Sequence, residues 1–248
     1  MIHSEIHGDV TVFRLAHGKA NALDFELCRA LRDTFESFAS SDGKAAVLTD
    51  EGGIFSAGVD LKRLLQDGPE AIDAFLEALD AAFRALAFCP KPIVGAASGH
   101  AIAGGCVLLS ACDRRLMADG KGRIGVPELL VGVPFPVLAL EIMREVVARP
   151  HLARVIYGGE TFQVADAAAL GLVDEVVATG ELQARAIETA QKLAAIPEAS
   201  FRLSKASMRS ALSARLDAQT DLEADIRAAW NSQATQDAIQ AFVNATLG

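Results

Sequence analysis

The sequence has little positive charge and lacks the residue clusters that mark nucleic-acid or metal binding. Lys and Arg number 23 against 32 Asp and Glu, which gives the 248 residues a formal net charge of -9. Because nucleic-acid phosphates need a basic surface, this balance argues against a nucleic-acid partner. The five His and four Cys are scattered without metal-ligand spacing. No metal site is therefore predicted, and buried, reduced thiols in a cytoplasmic protein are expected.

A secretory leader and a membrane span are also missing from the pattern. Residues 1–6 contain no basic stretch followed by an apolar block, so no signal peptide is predicted. The longest uncharged run, residues 92–112, is long enough to cross a bilayer, but it contains a proline, four glycines and a histidine. A strand, a turn and a buried helix account for this run better, and no membrane partner is expected.

Hydrophobic periodicity predicts alternating strands and helices up to about residue 177 and helices alone after that. Residues 2–15 alternate around Gly8-Asp9 as in a hairpin, and Asp24 is placed to cap a helix over residues 25–39. The other predicted helices are 69–88, 104–111, 137–147, 152–157 and 164–170, and the other predicted strands are 44–49, 52–60 with its glycine loop, 92–97, 114–117 and 173–177. Residues 124–132 are predicted as a loop with a helical turn. The fold class is therefore α/β, with a core over residues 1–194 and a helical C-terminal region over residues 195–248.

Two glycines, Gly104 and Gly105, begin the predicted helix that follows the apolar strand. Glycine lets another group approach the backbone closely. The first amides of a helix have no partner inside it, and the helix dipole there favours negative charge. This stretch is therefore a candidate site for stabilising a developing oxyanion.

Three stretches of the chain stand out: residues 55–62 (FSAGVDLK), residues 99–106 (GHAIAGGC) with Cys112-Asp113, and residues 125–132 (GVPELLVG). Together they resemble the enoyl-CoA hydratase/isomerase family, also called the crotonase family. Residues 21–24 and 165–174 also fit, in the same order and spacing over nearly the whole chain. The resemblance implies a spiral of β-β-α units followed by helices that pack trimers, often paired into hexamers. It also implies acyl-CoA thioester substrates, with coenzyme A as part of the substrate and no metal or redox cofactor.

The resemblance places the two amides of an oxyanion hole on Val59 and Gly104 and a catalytic carboxylate on Glu128. A thioester loses a proton beside its carbonyl only if the enolate oxygen is stabilised, and two preorganised amides do this. The residues expected to contact substrate are Lys19, Ala20, Ala22, Ala57, Gly58, Asp60, Leu61, Lys62, Ala103, Gly105, Val107, Pro127 and Phe135. For Lys62 a solvated surface role is an equal alternative to contact with the CoA phosphates or ribose.

Val107 departs from the hydratases of this family, which carry a first glutamate three residues after Gly104. The second glutamate is kept as Glu128. One carboxylate beside an apolar wall serves hydration poorly, but it suffices to move a proton from the α to the γ carbon. The sequence therefore predicts isomerisation of 3-enoyl-CoA to 2-trans-enoyl-CoA. A hydratase that uses Glu128 alone, other chemistry on the same oxyanion hole, and a non-catalytic acyl-CoA-binding protein remain as alternatives.

Several residues near these motifs have structural explanations. A glutamate after a proline at a helix start, as at Glu128, is favoured by the dipole alone. His100 and Cys106 are predicted to be packing residues. Phe201, Lys205 and Phe242 on the C-terminal helices are expected to have core or surface roles rather than to reach the substrate.

Overall fold

Two β-sheets form the frame of the fold. The computed structural model describes residues 1–246, and within them ten strands and twelve α-helices are present. The strands are β1 (Ile2–His7), β2 (Val10–Leu15), β3 (Ala45–Asp50), β4 (Ile54–Ser56), β5 (Ile93–Ala97), β6 (His100–Ile102), β7 (Arg114–Ala118), β8 (Arg123–Gly125), β9 (Thr161–Gln163) and β10 (Glu175–Val177). The helices are α1 (Phe25–Ala39), α2 (Leu61–Asp67), α3 (Ile72–Ala87), α4 (Gly104–Ser110), α5 (Glu128–Val131), α6 (Val137–Val146), α7 (Leu152–Gly158), α8 (Val164–Leu170), α9 (Leu182–Ala194), α10 (Glu198–Asp217), α11 (Thr220–Trp230) and α12 (Gln233–Thr246).

The strand order shows a spiral of repeated units. One sheet has the order β1-β2-β3-β5-β7-β10 and the other has the order β4-β6-β8-β9. Each of the consecutive pairs β3/β4, β5/β6 and β7/β8 therefore contributes one strand to each sheet. The strands of successive units pair in parallel, and helices follow each pair. This is the β-β-α spiral that the family resemblance implies, and the predicted fold class is confirmed.

The N-terminal helix packs because its apolar side chains recur on one face. Asp24 caps α1 by accepting a hydrogen bond of 2.7 Å from the Leu27 N–H. Phe35 and Phe38 on this face meet Phe13 of β2 edge-on, with ring centroids 5.4 and 5.7 Å apart. The Asp24 cap therefore fixes the start of α1, which adjoins the segment of residues 19–23, and the aromatic contacts hold its C-terminal half.

The C-terminal helices pack on the spiral of their own chain. The buried side chains of Leu212, Trp230, Ile239 and Val243 belong to the main hydrophobic core. The Trp230 indole N–H donates a 3.0 Å hydrogen bond to the Pro134 carbonyl, and α12 contacts both α2 and α5. The two helices that adjoin the predicted site residues are thus held by one C-terminal helix. The last two residues of the predicted helical region, 247 and 248, lie outside the described residues.

Some local structure differs from the sequence-based expectation. Residues 124 and 125, predicted as loop, lie in β8, and neither β6, β9 nor α2 is predicted. Strands β6, β8 and β9 have three residues each, which is too short for an alternating pattern. Pairing with neighbouring strands therefore decides their conformation. The predicted helix over residues 69–88 begins as a 3₁₀ turn before α3. In the described part of the chain, no helix is both long and apolar enough to cross a bilayer.

Candidate active site

Two glycine-containing loops, residues 57–60 and 103–105, touch each other at the centre of the candidate site. A Cβ added to Gly58 would lie 2.7 Å from the Ala103 Cβ and 2.8 Å from the Ile102 carbonyl oxygen. Gly58 also has φ +86°, a conformation that side chains disfavour. The Gly58 Cα lies 3.8 Å from where a Cβ on Gly104 would stand. Only glycine at position 58 allows the two loops to come this close.

The amide of Val59 is left free by the way its loop is held. Four of the five successive N–H groups of residues 57–61 donate hydrogen bonds within the chain, and within residues 1–246 that of Val59 has no acceptor. The Gly58 carbonyl accepts a 2.8 Å hydrogen bond from the Leu23 N–H. Because C=O and N–H point in opposite directions across a trans peptide, this bond directs the Val59 N–H away from Leu23.

The amide of Gly104 is free for a related reason. Gly104 is the first residue of α4, and the preceding Ala103 carbonyl accepts from the Cys106 N–H at 2.8 Å and the Val107 N–H at 3.2 Å. This peptide therefore turns its carbonyl into the helix and its N–H outward. No acceptor for the Gly104 N–H lies in the described residues. Ala103 holds φ +53°, an uncommon conformation for a residue with a side chain.

Glu128 is a carboxylate with a buried and unpartnered oxygen. It begins α5, and its Oε2 is buried without a hydrogen-bond partner in the described chain. Burial raises the pKa of Glu128 to about 8, although its own backbone N–H opposes the shift. Burial and then the charge of Glu128 raise the pKa of the Cys106 thiol. The Ala103 N–H donates a 2.8 Å hydrogen bond to the Gly125 carbonyl, so the segment that leads into α5 adjoins the start of α4. A carboxylate poised near neutral pH is suited to take up and return a proton.

Val107 and its neighbours make the surroundings of the site apolar. Val107 is 1% exposed, and it lies in the main hydrophobic core. Val126 and Val131, on either side of Glu128, belong to the same core, as does the predicted substrate contact Phe135. No carboxylate occupies the position one turn after Gly104.

The predicted substrate contacts fall into segments that the fold brings together. The segment 20–23 lies against 57–60 through hydrogen bonds from Ala57 to Ala20 and from Asp60 to Leu23. Asp60 also caps α2 by accepting a 2.9 Å hydrogen bond from the Arg63 N–H. Among the predicted catalytic and substrate-contact residues, the exposed ones are Lys19, Ala57 and Lys62, the partly buried ones are Ala20, Ala22, Val59, Asp60, Leu61, Ala103, Pro127 and Glu128, and the buried ones are Gly58, Gly104, Gly105, Val107 and Phe135.

Residues with a predicted packing role are found in packing positions. The His100 ring nitrogen Nδ1 faces the Arg123 N–H at 3.3 Å. Cys106 is buried, as are the other three cysteines, and all four are unpaired. Lys205 forms a buried ion pair of 2.8 Å with Asp113, while Phe242 is partly buried against the core. Among the described residues, no group of three or more His, Cys, Asp and Glu side chains is placed to hold a metal ion.

Two residues next to the free Val59 amide have no assigned role in the sequence-based prediction. They are Asn21 and Ser56, which contact each other across 35 positions of sequence. Asn21 has φ +46°. No local pattern signals the contact, because Asn21 lies between β2 and α1, Ser56 lies in β4, and the two meet only in the folded chain.

The β-β-α spiral is a crotonase-type fold, and its described residues include two amides without internal acceptors and a carboxylate with one buried oxygen. The family profile described as "Enoyl-CoA hydratase/isomerase" matches residues 5–246. The chain therefore belongs to the enoyl-CoA hydratase/isomerase family of enzymes.

Isomerases and hydratases are both among its relatives. Mitochondrial enoyl-CoA delta isomerase 1 of Mus musculus is 30% identical over 87% of this chain and 76% of its own length. A probable enoyl-CoA hydratase of Rhizobium meliloti (strain 1021) is 28% identical over 86% and 82%. The crystal structure of human mitochondrial delta3-delta2-enoyl-CoA isomerase matches with a TM-score of 0.92 and 26% identity, covering 98% of this chain and 97% of that one. The chain is therefore similar to enzymes of both activities.

Proposed function

We propose that the protein isomerises 3-enoyl-CoA to 2-trans-enoyl-CoA. The observation that carries the proposal is the single unpartnered carboxylate of Glu128 combined with the buried Val107, where the family's hydratases carry their first glutamate. Glu128 takes the proton from the α carbon, and the electron pair of that C–H bond enters an enolate. The double bond then shifts, and Glu128 returns the same proton to the γ carbon. Atoms balance without a water molecule.

In this proposal the amides of Val59 and Gly104 hold the enolate oxygen. Both are free of internal acceptors in residues 1–246 and lie on loops that touch each other. Losing one such preorganised donor typically costs about 3 kcal/mol of transition-state stabilisation. Because the amides and the shuttling carboxylate supply the chemistry, the reaction uses coenzyme A only as part of the substrate, with no metal or redox cofactor. We place the CoA portion along residues 19–23 and 57–62.

A product analysis with paired substrates tests the proposal. The purified protein is incubated separately with 3-hexenoyl-CoA and 2-trans-hexenoyl-CoA, and the products are separated by chromatography. We expect 2-trans-hexenoyl-CoA to form from the first substrate faster than 3-hydroxyhexanoyl-CoA forms from the second. Faster hydration would instead establish the second candidate, a hydratase, which the similarity to the Rhizobium meliloti protein favours. Binding without turnover of either substrate would indicate a non-catalytic acyl-CoA-binding protein.

The rate of isomerisation is expected to depend on pH through Glu128. Burial raises the pKa of this carboxyl to about 8, and only its ionised form accepts a proton. We therefore expect kcat/KM to rise with pH through one ionisation near pH 8 and to level off above it. A pH–rate profile between pH 6 and about 10 measures this. A profile that is already flat at pH 6 would contradict the assignment of the base.

We further propose that the chain, with a core over residues 1–194 and a helical region over residues 195–248, assembles as a homotrimer or a dimer of trimers. Helix α10 supports this, because Leu203 and Met208 on it are 59% and 77% exposed in the single chain. Light scattering that gives three or six times the chain mass of 26.1 kDa would support the assembly, and a monomer mass would overturn it.

A further inference from the structure

A buried hydroxyl connects the free Val59 amide to a distant part of the chain. Ser56 is fully buried, and its Oγ donates a 2.7 Å hydrogen bond to the Asn21 carbonyl. The same oxygen accepts a 3.2 Å hydrogen bond from the Gly58 N–H. One hydroxyl therefore bridges the segment before α1 and the loop that presents the Val59 N–H.

The far end of this bridge is itself held firmly. Asn21 is 2% exposed and keeps φ +46°, a conformation that asparagine adopts more readily than most residues with side chains. Its side-chain Nδ2 donates a 2.9 Å hydrogen bond to the Ile54 carbonyl, and its Oδ1 accepts one of 2.8 Å from the His17 N–H. The Asn21 carbonyl accepts from the Ser56 hydroxyl, and the two side-chain hydrogen bonds of Asn21, to Ile54 and from His17, hold this residue in place.

Gly58 depends on these hydrogen bonds because it has no side chain to pack. Its N–H is held by Ser56, and its carbonyl is held by Leu23. The bond from the Leu23 N–H to the Gly58 carbonyl sets the orientation of the Val59 N–H. The position of the peptide between Gly58 and Val59 depends on this bond and on the bond from the Gly58 N–H to Ser56. Without the hydroxyl, the Gly58 N–H would be buried without its partner, and the loop would be free to shift.

Ser56 also lies against the second oxyanion loop. A Cβ added to Gly105 would stand 2.4 Å from the Ser56 carbonyl oxygen and 2.8 Å from the Ser56 Cβ. Ser56 therefore contacts Gly105, which follows Gly104, and Gly58, which precedes Val59. A single side chain borders both loops and can fix the spacing between the two free amides.

We propose that Ser56, hydrogen-bonded to Asn21, is a positioning residue that keeps the Val59 amide at a fixed distance and orientation relative to the Gly104 amide. The inference rests on the proposed function, because it assigns a role within the same oxyanion hole. Ser56 does not touch the reacting atoms; it acts through Gly58. A misplacement of about 1 Å at such a site can cost about a hundredfold in rate.

The substitution Ser56→Ala tests this role, because it removes the hydroxyl without adding volume. We measure kcat and KM for 3-hexenoyl-CoA, the rate of deuterium incorporation at the α carbon of hexanoyl-CoA in D₂O, and the Kd of hexanoyl-CoA. We expect kcat and deuterium exchange to fall roughly ten- to hundredfold, while the Kd changes less than about twofold because ground-state binding does not need the oxyanion geometry. Exchange reports enolate formation directly, and it does not require isomerisation to follow.

Thr49→Val is the matched control. Thr49 is also buried, and its hydroxyl donates a 2.7 Å hydrogen bond to the Ala96 carbonyl, away from the two loops. The control loses the same kind of bond, so we expect it to lower thermal stability as Ser56→Ala does but to leave kcat and exchange unchanged. If Ser56→Ala does not fold, Ser56→Cys, which keeps a weaker donor, replaces it, with a smaller fall in the same two rates expected.

The outcomes separate this inference from the proposed function. A Ser56 variant that folds and exchanges deuterium at the rate of the unsubstituted protein would show the positioning role to be wrong. If the unsubstituted protein exchanges deuterium but does not isomerise 3-hexenoyl-CoA, the isomerase proposal fails, and the comparison of exchange rates still decides the role of Ser56. If the unsubstituted protein does neither, both are wrong.

Discussion

Glu128→Gln is expected to lower kcat for isomerisation of 3-hexenoyl-CoA by roughly 10²- to 10⁴-fold, which is the usual contribution of a positioned acid–base group. Glutamine has the shape of glutamate, but it cannot accept the α proton, and no second carboxylate stands at position 107 to replace it. KM is expected to change little, because the substitution leaves both oxyanion amides in place. Steady-state kinetics on the purified variant measure both parameters.

Glu36→Gln provides the control for this substitution. Glu36 is exposed on α1, and its nearest cation, Arg32, is 4.0 Å away, so kinetics like those of the unsubstituted protein are expected. A Glu128→Gln variant that keeps full activity would remove Glu128 from the mechanism.

The same Glu128→Gln variant is expected to be more stable than the unsubstituted protein at alkaline pH. The pKa of Glu128 is raised from 4.5 to about 8 in the folded state, so the folded protein keeps a proton that the unfolded chain releases. The free energy of unfolding therefore falls as pH rises from about 4.5 to 8 and changes no further above that. The advantage of glutamine grows across the same window, because each pKa unit of difference corresponds to about 1.4 kcal/mol. Urea unfolding at several pH values measures it, and a constant difference would contradict the burial of an unpaired carboxylate.

Gly58→Ala is expected to abolish most activity and to destabilise the fold. The new methyl group would meet the Ala103 Cβ at 2.7 Å and the Ile102 carbonyl at 2.8 Å, and φ +86° would be strained as well. Relief requires the two loops to separate, which moves the Val59 amide away from the Gly104 amide. We expect kcat to fall at least about a hundredfold and stability to fall by about 2–4 kcal/mol.

Gly52→Ala separates the two causes of that effect. Gly52 has φ +91°, but nothing lies within 4 Å of the position that its Cβ would take. This control has the backbone strain without the clash, so we expect a stability cost of about 1 kcal/mol and normal kcat. Equal activity in the two variants would mean that the distance between the loops does not matter for catalysis.

Much of the fold and of the candidate site follows from local pattern in the sequence. Asp24 marks the start of α1, and Gly171 marks the end of α8 with φ +88°. Paired glycines and the apolar run after them are local signals, and they predict the helix that begins at Gly104. The roles of Val59, Gly104 and Glu128 in catalysis stay predictions until the experiments above are done.

The features that could not be predicted depend on contacts between distant residues. The hydroxyl of Ser56 has its partner 35 positions earlier in the chain, and nothing near residue 56 signals that partner. The raised pKa of Glu128 comes from burial, which depends on how α4, α5 and the core surround it rather than on the residues beside it. Strands β6, β8 and β9 form because neighbouring strands pair with them, since three residues have too little periodicity to predict.

Backbone strain in this chain is concentrated beside the two free amides. Within residues 1–246, Asn21 and Ala103 are the two residues other than glycine with positive φ. Ala103 lies on the loop of residues 103–105, and the Asn21 carbonyl accepts a hydrogen bond from Ser56, just before the loop of residues 57–60. A fold keeps such conformations only where the surrounding contacts over-determine them. Both strained residues therefore lie close to the two loops that touch, and this concentration can be seen without any sequence motif. In a relative whose motifs have diverged beyond detection, the torsion angles of the backbone would still point to the place where the two free amides lie.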